Sequence, residues 1–325
     1  MTLSVRRHPL LQALMPALLA GLLSACGGGA SDTQNATAST AAGSTQGGFD
    51  ATLYAGAPLS TGNVAVDGRN WINYRRSQIG VPALMQNALI DRAAANHSAY
   101  QRLNNVITHD ENPDAAGFTG VGLNNRLDAV GYLLEPYNHS YGEVISATSN
   151  SSGFFMAEEL VTAIYHRFVL FEPVFKEIGT GSGTTTANYT YFTADLVANH
   201  GYGPGLGRGR VVVWPSNGQT GVVPNFFSNR EEPDPVDTAD EVGYPVSVQA
   251  DAYATILVSN FTIRPRNGAN LPVKLLHYTT DQHTPKSATA IIPLTRLAAA
   301  TVYDVAFSGS VDDMPVSMSW SFSTR

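Results

Sequence analysis

Eight histidines and one cysteine are the side chains of this 325-residue chain best suited to metal or acid–base chemistry, and their spacing limits what they can do. A single cysteine, Cys26, excludes an internal disulfide framework and any multi-cysteine zinc or iron–sulfur site. Two imidazoles with a carboxylate can hold zinc with an open coordination position, or form a general base with an acid partner. No His-Glu-x-x-His run fixes two ligands by helical spacing, so any such group is assembled from distant segments. Nucleophilic catalysis finds little support. In Gly179-Thr180-Gly181-Ser182-Gly183 the serine sits one position late for a nucleophile elbow. Gly201 to Gly207 is glycine-rich but contains Pro204 and leads into no helical pattern, which makes it a loop and not a phosphate cradle.

Cys26 has a different reading. Arg6 and Arg7 precede an apolar stretch from Leu10 to Leu23, and Leu23-Ser24-Ala25-Cys26-Gly27 follows. A charged start, a short apolar run and small residues describe a secretory signal too short to span a bilayer. Leu-Ser-Ala-Cys resembles the bacterial lipobox, which implies that residues 1–25 are removed and Cys26 becomes a lipidated N-terminus. By the same resemblance, Gly27 in place of an aspartate implies the outer membrane. The expected location is therefore the cell envelope, with the membrane as a partner through Cys26. Residues 26–63 are mostly Gly, Ala, Ser and Thr, and read as a flexible tether. A coil of that length spans roughly 30–36 Å.

The bulk composition supports a folded, acidic protein. The chain is 43% hydrophobic and 14% charged, against a usual charged share of about a quarter. Lys and Arg number 19 against 26 Asp and Glu, and the lysines are only Lys176, Lys274 and Lys286. No basic stripe is present, which excludes a nucleic-acid partner.

Order begins near Val64. Trp71 to Arg76 lead into Gly80-Val81-Pro82, a helix with a stop signal. Leu84, Leu89, Ala93, Ala94, His97, Tyr100 and Leu103 recur at mostly three- and four-residue steps and read as a second helix that ends near His109. Further along come Gly117-Phe118-Thr119-Gly120, Arg126, Gly131-Tyr132, Gly142-Glu143-Val144-Ile145, Tyr165-His166-Arg167 and Ile178-Gly179-Thr180-Gly181. In this order they resemble the CAP superfamily of sperm-coating, antigen 5 and plant pathogenesis-related proteins.

The resemblance implies an α+β domain over 64–203, a three-layer α/β/α sandwich with a central antiparallel sheet. Strands are expected at 143–146, 176–181 and 189–197, and a helix from Glu158 to Phe168. It also places His109, Glu143 and His166 in a solvent-filled cleft, where His109 and His166 can hold a divalent metal such as zinc or join a polar network. Relatives add a second cleft glutamate, for which Glu159, about two turns before His166, is the candidate and Glu158 its neighbour. A solvated helix-start glutamate is the plainer reading of either. His97 reads as a core histidine, and Asp110 as a turn residue.

After a proline-rich connection at 204–241, in which Val211 to Trp214 carry a strand pattern, the last segment, 242–325, is all β. Val316, Met318, Trp320 and Phe322 alternate with serines, which buries one face and wets the other. Leu297 to Tyr303, followed by Val305 and Phe307, resembles the tyrosine corner of immunoglobulin-like sandwiches. The combined expectation is an envelope-anchored binding protein for a lipid, small-molecule or protein ligand. A peptidase-like hydrolase with Glu143 as base and a purely structural surface protein are the alternatives. Binding is favoured over catalysis.

Overall fold

Asn63 starts the first helix by accepting the amide of Val66 at 3.1 Å, and α1 runs from Val64 to Gln78. Its companion α2, Ala88–Asn104, is capped by Asn87 and ends at Asn105 in the left-handed region. The computed structural model describes residues 50–325. The expected signal at 1–25, Cys26 and the tether as far as residue 49 lie outside the described residues.

The last part of the expected tether is a correction, because residues 50–63 are fixed on α1. Tyr54 packs edge-on against Trp71, the Tyr74 hydroxyl donates to the carbonyl of Ala55, and Ser60 and Thr61 donate to the buried carboxylate of Asp67. One aromatic ring and two paired hydroxyls offset the ordering entropy of an otherwise small-residue stretch.

The central sheet has the order β1-β3-β4-β2, from Met85–Gln86, Glu177–Thr184, Thr190–Ala198 and Ser140–Thr148. Its three long strands are antiparallel, and the two-residue β1 adds a short parallel pair that alternation could not reveal. On one face α2 lies directly on β3. A Cβ at Gly179 or Gly181 would fall 2.1–2.2 Å from the α2 backbone, so only glycine permits this approach. The short α3, Leu123–Ala129, shares that face through Leu127, Ile90 and Val197. The other face carries α1, α4 (Gly153–Thr162) and α5 (Ile164–Leu170) over Val144, Phe192 and Leu196.

The helix expected from Glu158 to Phe168 is broken at Ala163, whose ψ of 120° is extended. The apolar pattern Leu160, Ala163, Ile164, Phe168 is continuous, so the sequence gives no sign of the break. Polar groups from elsewhere stabilise it. Arg167 donates to the carbonyls of Val161 and Thr162 at the end of α4, and Glu231 accepts the amides of Ile164, Tyr165 and His166 at the start of α5.

The C-terminal half is two packed antiparallel sheets. One has the order β10-β11-β8-β5, from Val273–Leu276, Ala288–Pro293, Val246–Gln249 and Val212–Trp214. The other has β13-β12-β9, from Met314–Ser323, Val302–Val311 and Ile256–Pro265. Asn225–Phe227 and Glu241–Gly243 form a separate ribbon, β6-β7. The segment 204–241, expected to be a connection, thus supplies two paired strands, β5 and β6, and the buried Trp214. Tyr303 is buried and its hydroxyl accepts the amide of Ala298 at 2.7 Å.

One apolar core runs through both halves, with Trp71, Leu170 and Phe171 packed with Trp214, Tyr244 and Val246. Within it, Arg75 is fully buried and pairs with Glu158 through two bonds of 2.8 Å. Its guanidinium lies 4.4 Å from the Tyr54 ring centre, 4.9 Å from Trp71 and 5.3 Å from Trp214. Arg167 reaches across to the carbonyl of Pro245, and Gln249 donates back to that of Phe168.

Two predictions follow from this seam. Arg75→Ala leaves the largely covered Glu158 without its cation and is expected to cost about 3 kcal/mol in urea denaturation; a loss under about 1 kcal/mol would contradict the pairing. Glu172, buried between the halves, is pushed up to about 8 chiefly by burial, with Asp251 adding to the rise and the amides of Val174 and Ala252 and the charge of Arg76 opposing it. An unfolded glutamate has released its proton well below that pH, so the folded form holds one proton more across the interval. Stability therefore falls as pH rises towards 8, by up to about 1.4 kcal/mol per pH unit. Glu172→Gln is expected to flatten that decline, measured as denaturation midpoints across the same pH range.

Candidate functional site

Glu143 stands in the middle of β2, with its Cα directly opposite that of Asp195 on the central strand β4. It points to the face covered by α2 and α3. One carboxylate oxygen accepts from His109 Nδ1 at 2.8 Å and the other from Arg126 Nη2 at 2.6 Å. Arg126, wholly buried on α3, also donates through Nη1 to the carbonyls of His109 and Val121. A single guanidinium thus holds both the backbone of His109 and the carboxylate its ring rests on. The loop can approach α3 this closely because residue 120 is glycine: a Cβ there would fall 2.7 Å from the Arg126 amide nitrogen.

His97 on α2 secures the rest of this loop. Its Nδ1 lies 2.8 Å from Glu111 and its Nε2 2.8 Å from the carbonyl of Thr108, while Glu111 also accepts the amide of Thr119. The core reading of His97 matches this fully buried position. Asp110 lies in the adjoining turn, where its backbone bonds the Thr108 hydroxyl.

Electrostatics follow from the layout. Burial alone would raise the Glu143 carboxyl, but the charge of Arg126 and the bond from His109, with His97 nearby, hold it well below the usual carboxylate range. Glu111 is likewise lowered, against its burial, by His97 and the Thr119 amide. Asp195 goes the other way: complete burial, then the charge of Glu143, raise it well above the ordinary value. The His109 side chain is 41% exposed, compared with 5% for Glu143 and none for Arg126. Its Nδ1 is committed to Glu143, and its Nε2 has no partner among the described residues. The arrangement presents one imidazole nitrogen at the surface on a rigid, charged, buried base.

The other expected cleft residues are elsewhere. Ser146 lies three residues after Glu143 on a regular strand and so faces the opposite side of the sheet. Glu159 lies 3.4 Å from the Ser146 hydroxyl on that side, pushed up to about 7 by burial. Glu158 is the partner of Arg75 and of the Trp71 indole. His166 pairs with Glu231 at 2.9 Å, a residue of the segment that was expected to be a connection. The expectation that His109 and His166 meet at one divalent metal is therefore corrected: each Nδ1 is engaged by a different carboxylate. Among the described residues no three His, Cys, Asp or Glu side chains gather in a metal-binding arrangement. The donor set does not fit zinc.

Residues 70–196 match the family model of the cysteine-rich secretory protein family, CAP. This segment is a CAP domain. Among solved structures, the chain is similar to an extracellular SCP-domain protein of Bacillus anthracis at 21% identity, covering 44% of this chain and 45% of that one, with a TM-score of 0.35. It is also similar to an outer surface protein of Borrelia burgdorferi at 14% identity, over 40% and 89% of the two chains, with a TM-score of 0.34. A venom allergen-like protein of Schistosoma mansoni follows at 12% identity, over 43% and 90%, with a TM-score of 0.29. The chain thus spans less than half the length of the Bacillus protein. No curated sequence matches it. The CAP domain here contains no cysteine, so hydrogen-bonded loops such as that of His97 and Glu111 hold it without disulfides.

Arg126, Glu111, Asp195 and Glu231 were not identified as site residues from sequence. A lone aspartate in a nine-residue strand with every residue buried was a readable signal for Asp195. Glu231, within Glu-Glu-Pro-Asp-Pro, offered none. The division between support and surface is testable by denaturation. Arg126→Ala strands Glu143 and is expected to cost about 3–5 kcal/mol, whereas His109→Ala is expected to stay within about 1 kcal/mol. Equal losses would contradict the assignment.

Proposed function

We propose that this is an exported binding protein, anchored by a lipid on Cys26 in the outer membrane, whose CAP domain recognises a small amphipathic ligand at His109. The observation that carries the reading is the half-exposed His109 ring held on the buried Glu143–Arg126 pair. A preorganised polar group on rigid support loses little entropy when it binds. Around it the loop leaves Val106, Ile107, Phe118 and Val121 exposed, which suits a ligand with a polar end and an apolar body. Hydrolysis with Glu143 as base is less well supported. Both its oxygens are engaged and its charge is held too firmly for efficient proton abstraction.

The C-terminal module is read as an immunoglobulin-like sandwich that spaces the CAP domain or contributes to recognition. The bond from the Ala298 amide to the Tyr303 hydroxyl supports this reading. No helix among the described residues is long and apolar enough to cross a membrane.

Two measurements test the proposal. Calorimetric titration with 1-decanol, whose hydroxyl can donate to Nε2, is expected to show binding that His109→Ala weakens by at least tenfold, or about 1.4 kcal/mol. Equal affinities, or no binding by the unaltered protein, would overturn it. Labelled palmitate is expected to be incorporated into the protein and lost in Cys26→Ser, which would move to the soluble fraction; unchanged labelling would overturn the anchor.

A further inference from the structure

Among the described residues, Asp195 is the one buried carboxylate with neither oxygen hydrogen-bonded. It is fully buried, and neither oxygen is bonded by an N–H or O–H of any other described group. Its cross-strand partner is Glu143, Cα opposite Cα in an antiparallel pair, an arrangement that sets the two Cβ atoms about 4.5–5.5 Å apart on one face of the sheet. Two ionised carboxylates have only acceptors to offer each other, so a hydrogen bond between these neighbours requires a proton. Two like charges at such a separation in a water-poor layer are also strongly unfavourable.

The groups around the pair decide where that proton resides. Glu143 is met by His109 Nδ1 and Arg126 Nη2, both donors to its ionised form, with His97 Nε2 3.9 Å away. Asp195 has Arg126 nearby as a charge, but the guanidinium Nε makes no hydrogen bond. On its other side β3 presents Gly179, which carries no polar side chain. Glu111 stands one contact further, on His97. Donors thus converge on Glu143 and leave Asp195 with only Glu143 to bond.

We propose that Asp195 is a positioning residue that keeps its proton in the folded protein and donates it to Glu143, locking the ionised carboxylate that orients His109. Glu143 then receives three donors, from Asp195, Arg126 and His109, which fix it from three elements of the fold. The effect on ligand binding rests on the reading of His109 as the recognition group; the location of the proton does not.

The full chain labelled with ¹³C-aspartate, examined by infrared spectroscopy, reads the proton directly. At about pH 7, some three units above an ordinary aspartic acid, an aspartic-acid carbonyl band is expected in the unaltered protein and not in Asp195→Asn. Absence of that band, or its survival in the variant, would overturn the assignment. Asp195→Asn should also fold and lose part of the decline of stability with rising pH, because the folded aspartic acid holds a proton that the unfolded one has released. An unchanged slope would contradict it. Asp195→Ala, which has no donor, should weaken 1-decanol binding about tenfold, and unchanged affinity would remove the positioning role. Failure of the unaltered protein to bind 1-decanol would instead sink the proposed function and leave the infrared result standing.

Discussion

The burial of Arg75 is the constraint on which the rest of the structure depends. A desolvated guanidinium needs its donors satisfied, and for Arg75 Glu158 supplies a paired charge and two bonds while Gln78 takes a third. Rings from four places, Tyr54, Trp71, Tyr74 and Trp214, surround the cation. These contacts fix the N-terminal strap, α1, α4 and the first strand of the C-terminal half against one another. The helical layer of the CAP domain consequently shares its core with the β half, and the seam between them is built as an interior and not as a docked surface.

The same principle recurs at the site. Arg126 is buried on the opposite face of the sheet, again paired with a glutamate, and it donates to loop carbonyls besides. The difference lies in what the second partner of the glutamate does. Glu158 bonds the indole of Trp71, which is buried, whereas Glu143 bonds His109, which is half exposed. One buried ion pair ends in the core and the other ends at the surface, and only the second can act on a ligand. His166, which the family resemblance places in one cleft with His109, instead belongs to the cap that Glu231 forms on α5.

Legibility from sequence followed the range of the interactions. Caps and stops are local, so α1 and α2 were readable, as were the three long strands and the alternating β13. The motif order led correctly to the CAP fold, and the structure brings His109 and Glu143 into contact. What escaped depends on contacts between residues far apart. The break at Ala163 exists because Arg167 and Glu231 satisfy helix ends that the apolar pattern continues through. Residues 50–63 are ordered by partners on α1, and the stretch 204–241 joins sheets because its strands pair with β7 and β8. The separation of His166 and Glu159 from His109 follows from strand parity together with a carboxylate contributed from residue 231.

The central claim is that Glu143 fixes the His109 ring with Nε2 outward. Long-range proton–nitrogen NMR on ¹⁵N-histidine-labelled protein, at a pH where the ring is neutral, reads this directly. The account predicts the Nδ1–H tautomer for His109 in the unaltered protein and its loss in Glu143→Gln, with Nε2 bare in the former. An Nε2–H tautomer, or a freely averaging ring in the unaltered protein, would contradict it.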